Sequence, residues 1–241
     1  MTKKPLLLIA IVMYAASAAA QNGELLEYQQ EIGGGIGMSS YVGDASGSFL
    51  SNPGAMLTAI WRRNFNPRMG IKTNLALGHI GGTTEERYFP QDPLSQTAAG
   101  GIAAETFSFS RNVVDAGVQF ELNFLGYGLG AAYKGLHRWT PYLLAGLGIT
   151  IGFGDGASAA GALNIPMGFG LRYKLKPRVN VGVEWTMRFT SSDRLDDCEA
   201  ATKLNSPYGI ESGAFKNRDS YSFLMLSLTY DISPKYRKCN N

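Results

Sequence analysis

The sequence predicts an all-β protein, an eight-stranded antiparallel transmembrane β-barrel, and three observations carry the prediction. The first is strict alternation in residues 162–191. Leu163, Ile165, Met167, Phe169, Leu171, Tyr173 and Leu175 share one face, with Asn164, Gly168, Gly170, Arg172 and Lys174 opposite. After Lys176-Pro177 the pattern resumes, Val179, Val181, Val183, Trp185, Met187 and Phe189 against Asn180, Gly182, Glu184, Thr186, Arg188 and Thr190. Period two places successive side chains on opposite faces of a strand. Runs this long with a continuous apolar face suit a tilted membrane crossing, which takes about 9–11 residues. The second observation is repetition: comparable segments fall at about 28–41, 54–65, 68–80, 111–124, 139–153, 162–175, 178–191 and 219–231. The third is that their connections sort into tight turns and long loops, as in bacterial outer-membrane barrels.

The N-terminus reads as an export signal. Lys3 and Lys4 precede an apolar run over 6–16, followed by Ser17-Ala18-Ala19-Ala20. A charged start, a short greasy run and small residues at the cut predict a signal peptide over 1–20, cleaved after Ala20. A permanent N-terminal anchor is the weaker reading, because the run is short for a span. No cysteine follows the cut, so lipidation there is not expected. Residues 21–241 are then the barrel, ending in a short basic periplasmic tail. No later stretch suits a membrane helix, since 139–154 and 156–171 are studded with glycine, a poor helix former. Mean hydropathy near zero is no obstacle, because alternating strands average out their apolar face. The 30 glycines and the 12 each of Tyr and Phe suit close strand packing and aromatic girdles. A net charge of +3 with dispersed basic residues gives no nucleic-acid footprint.

Taken in order, the first strand sets Ile32, Ile36 and Met38 against Glu31, Gly33, Gly35 and Gly37. Its glycines lack the spacing of a phosphate-binding loop, and small inward residues suit a narrow barrel. The second strand sends Leu57, Trp61 and Phe65 outward; of the adjacent Arg62 and Arg63, Arg63 near the strand end can snorkel to the interface. The third places Ile71, Leu75 and Leu77 outward, with Lys72 and Asn74 inward. The fourth alternates Val114, Ala116, Val118, Phe120, Leu122 and Phe124 with Asp115, Gly117, Gln119, Glu121 and Asn123. The last sets Leu224, Leu226, Leu228 and Tyr230 outward. Asn66-Pro67-Arg68 and Lys176-Pro177-Arg178 are tight turns of one type. With both ends in the periplasm, strand counting puts these turns inside. The long loops 42–53, 81–110, 154–161 and 192–218 then lie outside. Residues 125–138 fall on the periplasmic side and are long for such a turn, which marks them as a contact surface. Cys198 and Cys239 fall on opposite sides of the membrane and are not expected to pair.

The inward set holds Glu31, Asp115, Glu121 and Glu184 with Arg62, Lys72, Arg172, Lys174 and Arg188. Eight strands leave an interior that side chains fill, and buried charges cost several kcal/mol each unless paired. A plug of salt bridges is expected, without an open channel. No catalysis, cofactor or metal site is expected. A lipid-modifying reading would rest on His79 at the outer rim, with Glu85, Glu86 and nearby serines; His137 sits beside Arg138 with no nucleophile signature. Asp193, Asp196 and Asp197 lack the spacing of a calcium loop.

Several short motifs share a family order: Glu31-Ile32-Gly33 with Tyr41-Val42-Gly43-Asp44, Asn64-Phe65-Asn66-Pro67-Arg68, Glu121-Leu122-Asn123-Phe124 and Thr140-Pro141-Tyr142. Arg188-Phe189-Thr190, Asp193-Arg194-Leu195-Asp196-Asp197 and Asp219-Ser220-Tyr221 continue it. In these the chain resembles the PorG-like family of small outer-membrane barrels, departing from it at Ser191-Ser192 and Cys198. The resemblance implies a component of the type IX secretion system of Gram-negative bacteria, in contact with outer-membrane lipid and with the periplasmic ring of the PorK and PorN type. Its expected ring contacts are Arg68, Lys134, His137, Arg138, Lys176, Arg178, Lys235, Arg237 and Lys238. A free-standing barrel with adhesive or protective surface loops is the alternative.

Overall fold

The computed structural model describes residues 28–42, 52–83, 108–129, 135–154, 157–191 and 219–234. These form eight strands: β1 (Tyr28–Val42), β2 (Gly54–Asn66), β3 (Met69–Thr83), β4 (Ser108–Asn123), β5 (Trp139–Gly154), β6 (Ala157–Lys176), β7 (Val179–Thr190) and β8 (Ser220–Pro234). Each pairs antiparallel with its sequence neighbours, and β8 returns to β1 from Tyr28↔Pro234 to Val42↔Ser220. Closure leaves no sheet edge, so every wall strand has a partner on both sides without water, as a bilayer requires.

The outer wall is apolar. Ile36, Leu57, Leu75, Leu147, Leu163, Phe169 and Leu226 are each more than half exposed, in company with many similar side chains. An apolar belt this continuous far exceeds the patches that water-soluble monomers tolerate. It is the lipid-facing wall of an outer-membrane β-barrel. Phe65, Phe124, Trp139 and Tyr173 ring the end that carries the tight turns, the girdle position where aromatic rings meet the headgroups. Of the adjacent arginines on β2, Arg62 is buried and Arg63 exposed.

The two Pro-Arg turns share one construction. Both follow a register shift, at Asn64/Asn66 and at Lys174/Lys176, and both close on a pair across two residues, Asn66↔Met69 and Lys176↔Val179. In the first, Asn66 Oδ1 accepts from the main-chain N–H groups of Arg68 and Met69, each at 2.8 Å. Asn thus supplies the turn's hydrogen bonds itself, while Pro sets φ for the turn.

Two expectations are corrected. Most of the loop expected over 154–161 is strand: β5 runs to Gly154 and β6 begins at Ala157, which pairs with it. Small residues with no apolar alternation continue the ladder there, because main-chain pairing does not require large side chains. The role given to the β1 glycines also changes. A Cβ on Gly33 would lie 2.1 Å from Leu228 O, and on Gly37 2.0 Å from Leu224 O. They are small first because the β8 main chain approaches closely at the seam.

Candidate functional site

The lumen divides into two halves. At the end away from the Pro-Arg turns, Tyr41, Ile60, Ile80, Phe109, Val113, Tyr221 and Phe223 form one buried apolar cluster, with Phe109 edge-on to Tyr41 at 4.8 Å. Buried Arg111 and Asp219 stand among them, Tyr41 Oη donating to Asp219 at 2.5 Å, and the Arg188 guanidinium lies 4.1 Å from the Phe223 ring. Through the middle and toward the end that carries the Pro-Arg turns, charged residues dominate. All nine inward charges named from the sequence are buried. Arg62 on β2 donates to Glu31 at 2.5 Å and grips Glu121 through Nε and Nη2 at 2.7 and 3.1 Å. Lys72 on β3 crosses to Glu184 on β7, 2.6 Å from each oxygen, and Tyr142 Oη donates to the same carboxylate at 2.6 Å. Gly170 makes this possible, since a Cβ there would lie 2.5 Å from the Tyr142 ring. Arg172 reaches Glu31 at 3.3 Å and Asn123 Oδ1 at 2.8 Å. Nearer the outer half, Asp115 pairs with Arg188 at 3.1 Å and accepts from Asn74, Asn164 and Tyr221 at 3.1, 2.8 and 2.8 Å.

Sequence reasoning places Asn74, Asn164 and Asn180 inward but misses Asp231, near the end of β8, and the lumen tyrosines. Lys174 pairs with Asp231 at 2.6 Å, and Asn180 donates to the other Asp231 oxygen at 2.6 Å. Asp231 shares the inward parity of Ser227 and Thr229 on β8, the one signal that locates it. Among the described residues the buried acids are Glu31, Asp115, Glu121, Glu184, Asp219 and Asp231, and the buried bases Arg62, Lys72, Arg111, Arg172, Lys174 and Arg188. Six face six, so the described interior is formally electroneutral. Such a lumen neither attracts an ion of one sign nor leaves a buried charge uncompensated.

At the end that carries the Pro-Arg turns, Tyr127 of the segment after β4 sits across the mouth. Tyr127 N–H donates to Pro67 O at 3.0 Å, tying the segment to the β2–β3 turn. Gly128 and His137 form a small clasp, with Gly128 N–H to His137 O and His137 N–H to Gly126 O at 3.0 and 2.7 Å. The Tyr127 ring lies under the lumen, 4.7 Å from the Arg172 guanidinium, and its Oη donates to Asn180 at 2.7 Å. Burial pushes the Tyr127 phenol up from its ordinary pKa, so it stays a donor.

The basic residues expected to meet a partner lie around this base. Arg68, His137 and Arg138 are exposed, and Arg138 O accepts from Lys174 N–H at 2.7 Å, which places it against β6. Lys176 is half-buried. Arg178 is half-buried over the rings of Tyr230 and Tyr28, at 4.5 and 5.2 Å, and donates to Asp231 O at 3.2 Å; it is part of the wall seam first. Lys134, Lys235, Arg237 and Lys238 lie outside the described residues, as do the export signal, both cysteines, Glu85, Glu86 and the Asp193–Asp197 acids. Among the described residues no group of three or more His, Cys, Asp or Glu side chains is placed to hold a metal ion.

The fold is similar to solved small outer-membrane barrels. The attachment invasion locus protein Ail of Yersinia pestis is 13% identical, with 86% of this chain and 100% of that one covered and a TM-score of 0.44. Neisserial surface protein A gives 14%, 85%, 96% and 0.44, and the N-terminal β-barrel domain of Pseudomonas aeruginosa OprF 11%, 85%, 98% and 0.43. No curated protein matches the sequence. A domain family described as a domain of unknown function, DUF6089, matches residues 3–241.

Proposed function

The chain belongs to the DUF6089 family, and from that premise we propose that it is an outer-membrane component of a type IX secretion machine that anchors a periplasmic ring of the PorK and PorN type. The motif resemblance supplies the identity of the machine. The observation that carries the anchoring role is the sealed base: a tyrosine-capped, electroneutral lumen below an apolar plug. A barrel filled from both ends is a poor conduit for folded cargo or for ions. A rigid base bearing Arg68, His137 and Arg138 at its exposed rim instead offers charge to an acidic partner surface, which favours encounter and register.

Replacing Arg68, His137 and Arg138 together by alanine tests the reading. Recovery of ring proteins with the tagged barrel falls, while the barrel stays in the outer membrane. Deleting the gene stops cargo from reaching the medium. Unchanged ring recovery, or normal secretion after deletion, overturns the reading and leaves the free-standing surface barrel in its place.

A further inference from the structure

At the external end of the wall, away from the sealed base, three side chains stand in a relay that the anchoring role does not use. His79 on β3 lies between two residues of β4: Nδ1 is 3.2 Å from Asn112 Oδ1 and Nε2 is 3.2 Å from Ser110 Oγ. One tautomer satisfies both contacts. An amide oxygen can only accept, so Nδ1 carries the proton and donates to Asn112. Nε2 is thereby an acceptor, and the Ser110 hydroxyl donates to it. We propose that Ser110 is a nucleophile activated by His79 and oriented through Asn112, reactive toward carboxylic acyl esters at the external face of the membrane. Nucleophile, base and orienting group within reach of one another are the recognisable unit of acyl-transfer sites, and an asparagine serves as the third member in one of the known variants.

Placement supports the assignment. The register pairs His79 with Asn112 and Ser110 with Gly81, so on the β3 side the residue across from the serine adds no side chain. Ser110 and Asn112 are exposed. They continue the outward row that runs on through Val114 and Val118, beside Leu77 and Ile151 of the neighbouring strands. The hydroxyl therefore stands at the edge of the apolar belt, the depth at which ester carbonyls of membrane lipids lie. The His79 main chain is held from behind, because its carbonyl accepts from the buried Ser39 hydroxyl.

The chemistry closes on itself with water as co-reactant. Ser110 Oγ bonds to the acyl carbon as its proton passes to His79 Nε2. The C–O bond to the leaving alcohol then breaks, and the alcohol takes that proton. Water attacks the acyl-serine by the same path, releasing the carboxylic acid and restoring the hydroxyl. A regular strand offers no turn or helix start to form a main-chain oxyanion hole, a device that contributes about 10²–10³ in rate. Activated esters are therefore the sensitive probe.

The test uses the folded barrel in detergent micelles, incubated with 4-nitrophenyl octanoate and read by peptide mass spectrometry. An octanoyl adduct forms on Ser110, is absent in S110A, persists in S108A, and forms about 10²-fold or more slowly in H79Q, the range expected for loss of a general base. Heat-dependent gel mobility shows that each variant is folded. No adduct at Ser110, or an adduct formed at the same rate in H79Q, overturns the proposal. Vesicles of phosphatidylethanolamine and vesicles containing lipid A separate the two sources of lipid ester. Ser110-dependent release of fatty acid from one of them names it, and release from neither overturns membrane lipid as the substrate.

Discussion

Tyr127 and Asn180 meet across the periplasmic mouth of the barrel, the phenol donating a 2.7 Å hydrogen bond to the side-chain oxygen of a residue 53 positions away. Asn180 in turn donates to Asp231, which pairs with Lys174. The base is thus held by a chain of contacts from the β4–β5 segment through β7 to β8 and β6.

That chain sets a graded prediction. Tyr127→Phe removes one hydrogen bond and costs about 1 kcal/mol. Tyr127→Ala also removes the ring beneath Arg172, and costs about 3–5 kcal/mol by analogy with other large aromatic truncations. Urea unfolding in micelles checks the order; equal losses for the two variants would show that the ring does not cap the lumen.

The paired charges predict strong non-additivity. Lys72→Met takes the cation from Glu184, while Glu121 keeps Arg62, and costs about 3–5 kcal/mol, the range for breaking one side of a buried pair. Glu184→Gln keeps the Tyr142 contact but leaves Lys72 only the 3.8 Å approach to Glu121. The double variant loses less than the two singles combined, a coupling read directly from a double-mutant cycle. Simple additivity would mean that Lys72 and Glu184 do not depend on one another.

Seam geometry gives a third prediction. Gly37→Val places a Cβ where the Leu224 carbonyl stands, so β1 and β8 cannot close and the heat-shifted gel form disappears. Gly135→Ala has open space around it and costs only the strain of its φ of +57°, about 1–2 kcal/mol. A folded Gly37→Val barrel would contradict the seam.

How much of this is legible without coordinates depends on what periodicity can encode. Alternation marks Lys72 and Glu184 as inward, because parity along a strand is local. It cannot say that they meet, because the contact spans the lumen and depends on the stagger between β3 and β7. The apolar outer half of the lumen is hidden for a related reason. Ile60 stands inward between outward Ala59 and Trp61, and Phe223 beside outward Leu224, so alternation weakens where both faces are greasy. The Pro-Arg turns are readable because Pro and Asn act locally. The start of β6 is not, since Ala-Ser-Ala-Ala-Gly carries no face at all.

The lipid wall predicts a dependence on depth. Leu226→Arg, at mid-wall, costs about 2–4 kcal/mol, whereas Phe65→Arg at the girdle costs about 0–1 kcal/mol. Reversible folding into vesicles measures both; similar costs would mean that the wall does not face a bilayer.

The most direct measurement of the central claim, a wall solvated by acyl chains around a sealed interior, is a nitroxide scan along residues 224–230 in vesicles. Oxygen accessibility peaks at Leu224, Leu226 and Leu228, while Met225, Ser227 and Thr229 are shielded from both oxygen and a water-soluble relaxer. Accessibility to the water-soluble relaxer at 225, 227 and 229, or loss of the alternation altogether, would contradict it.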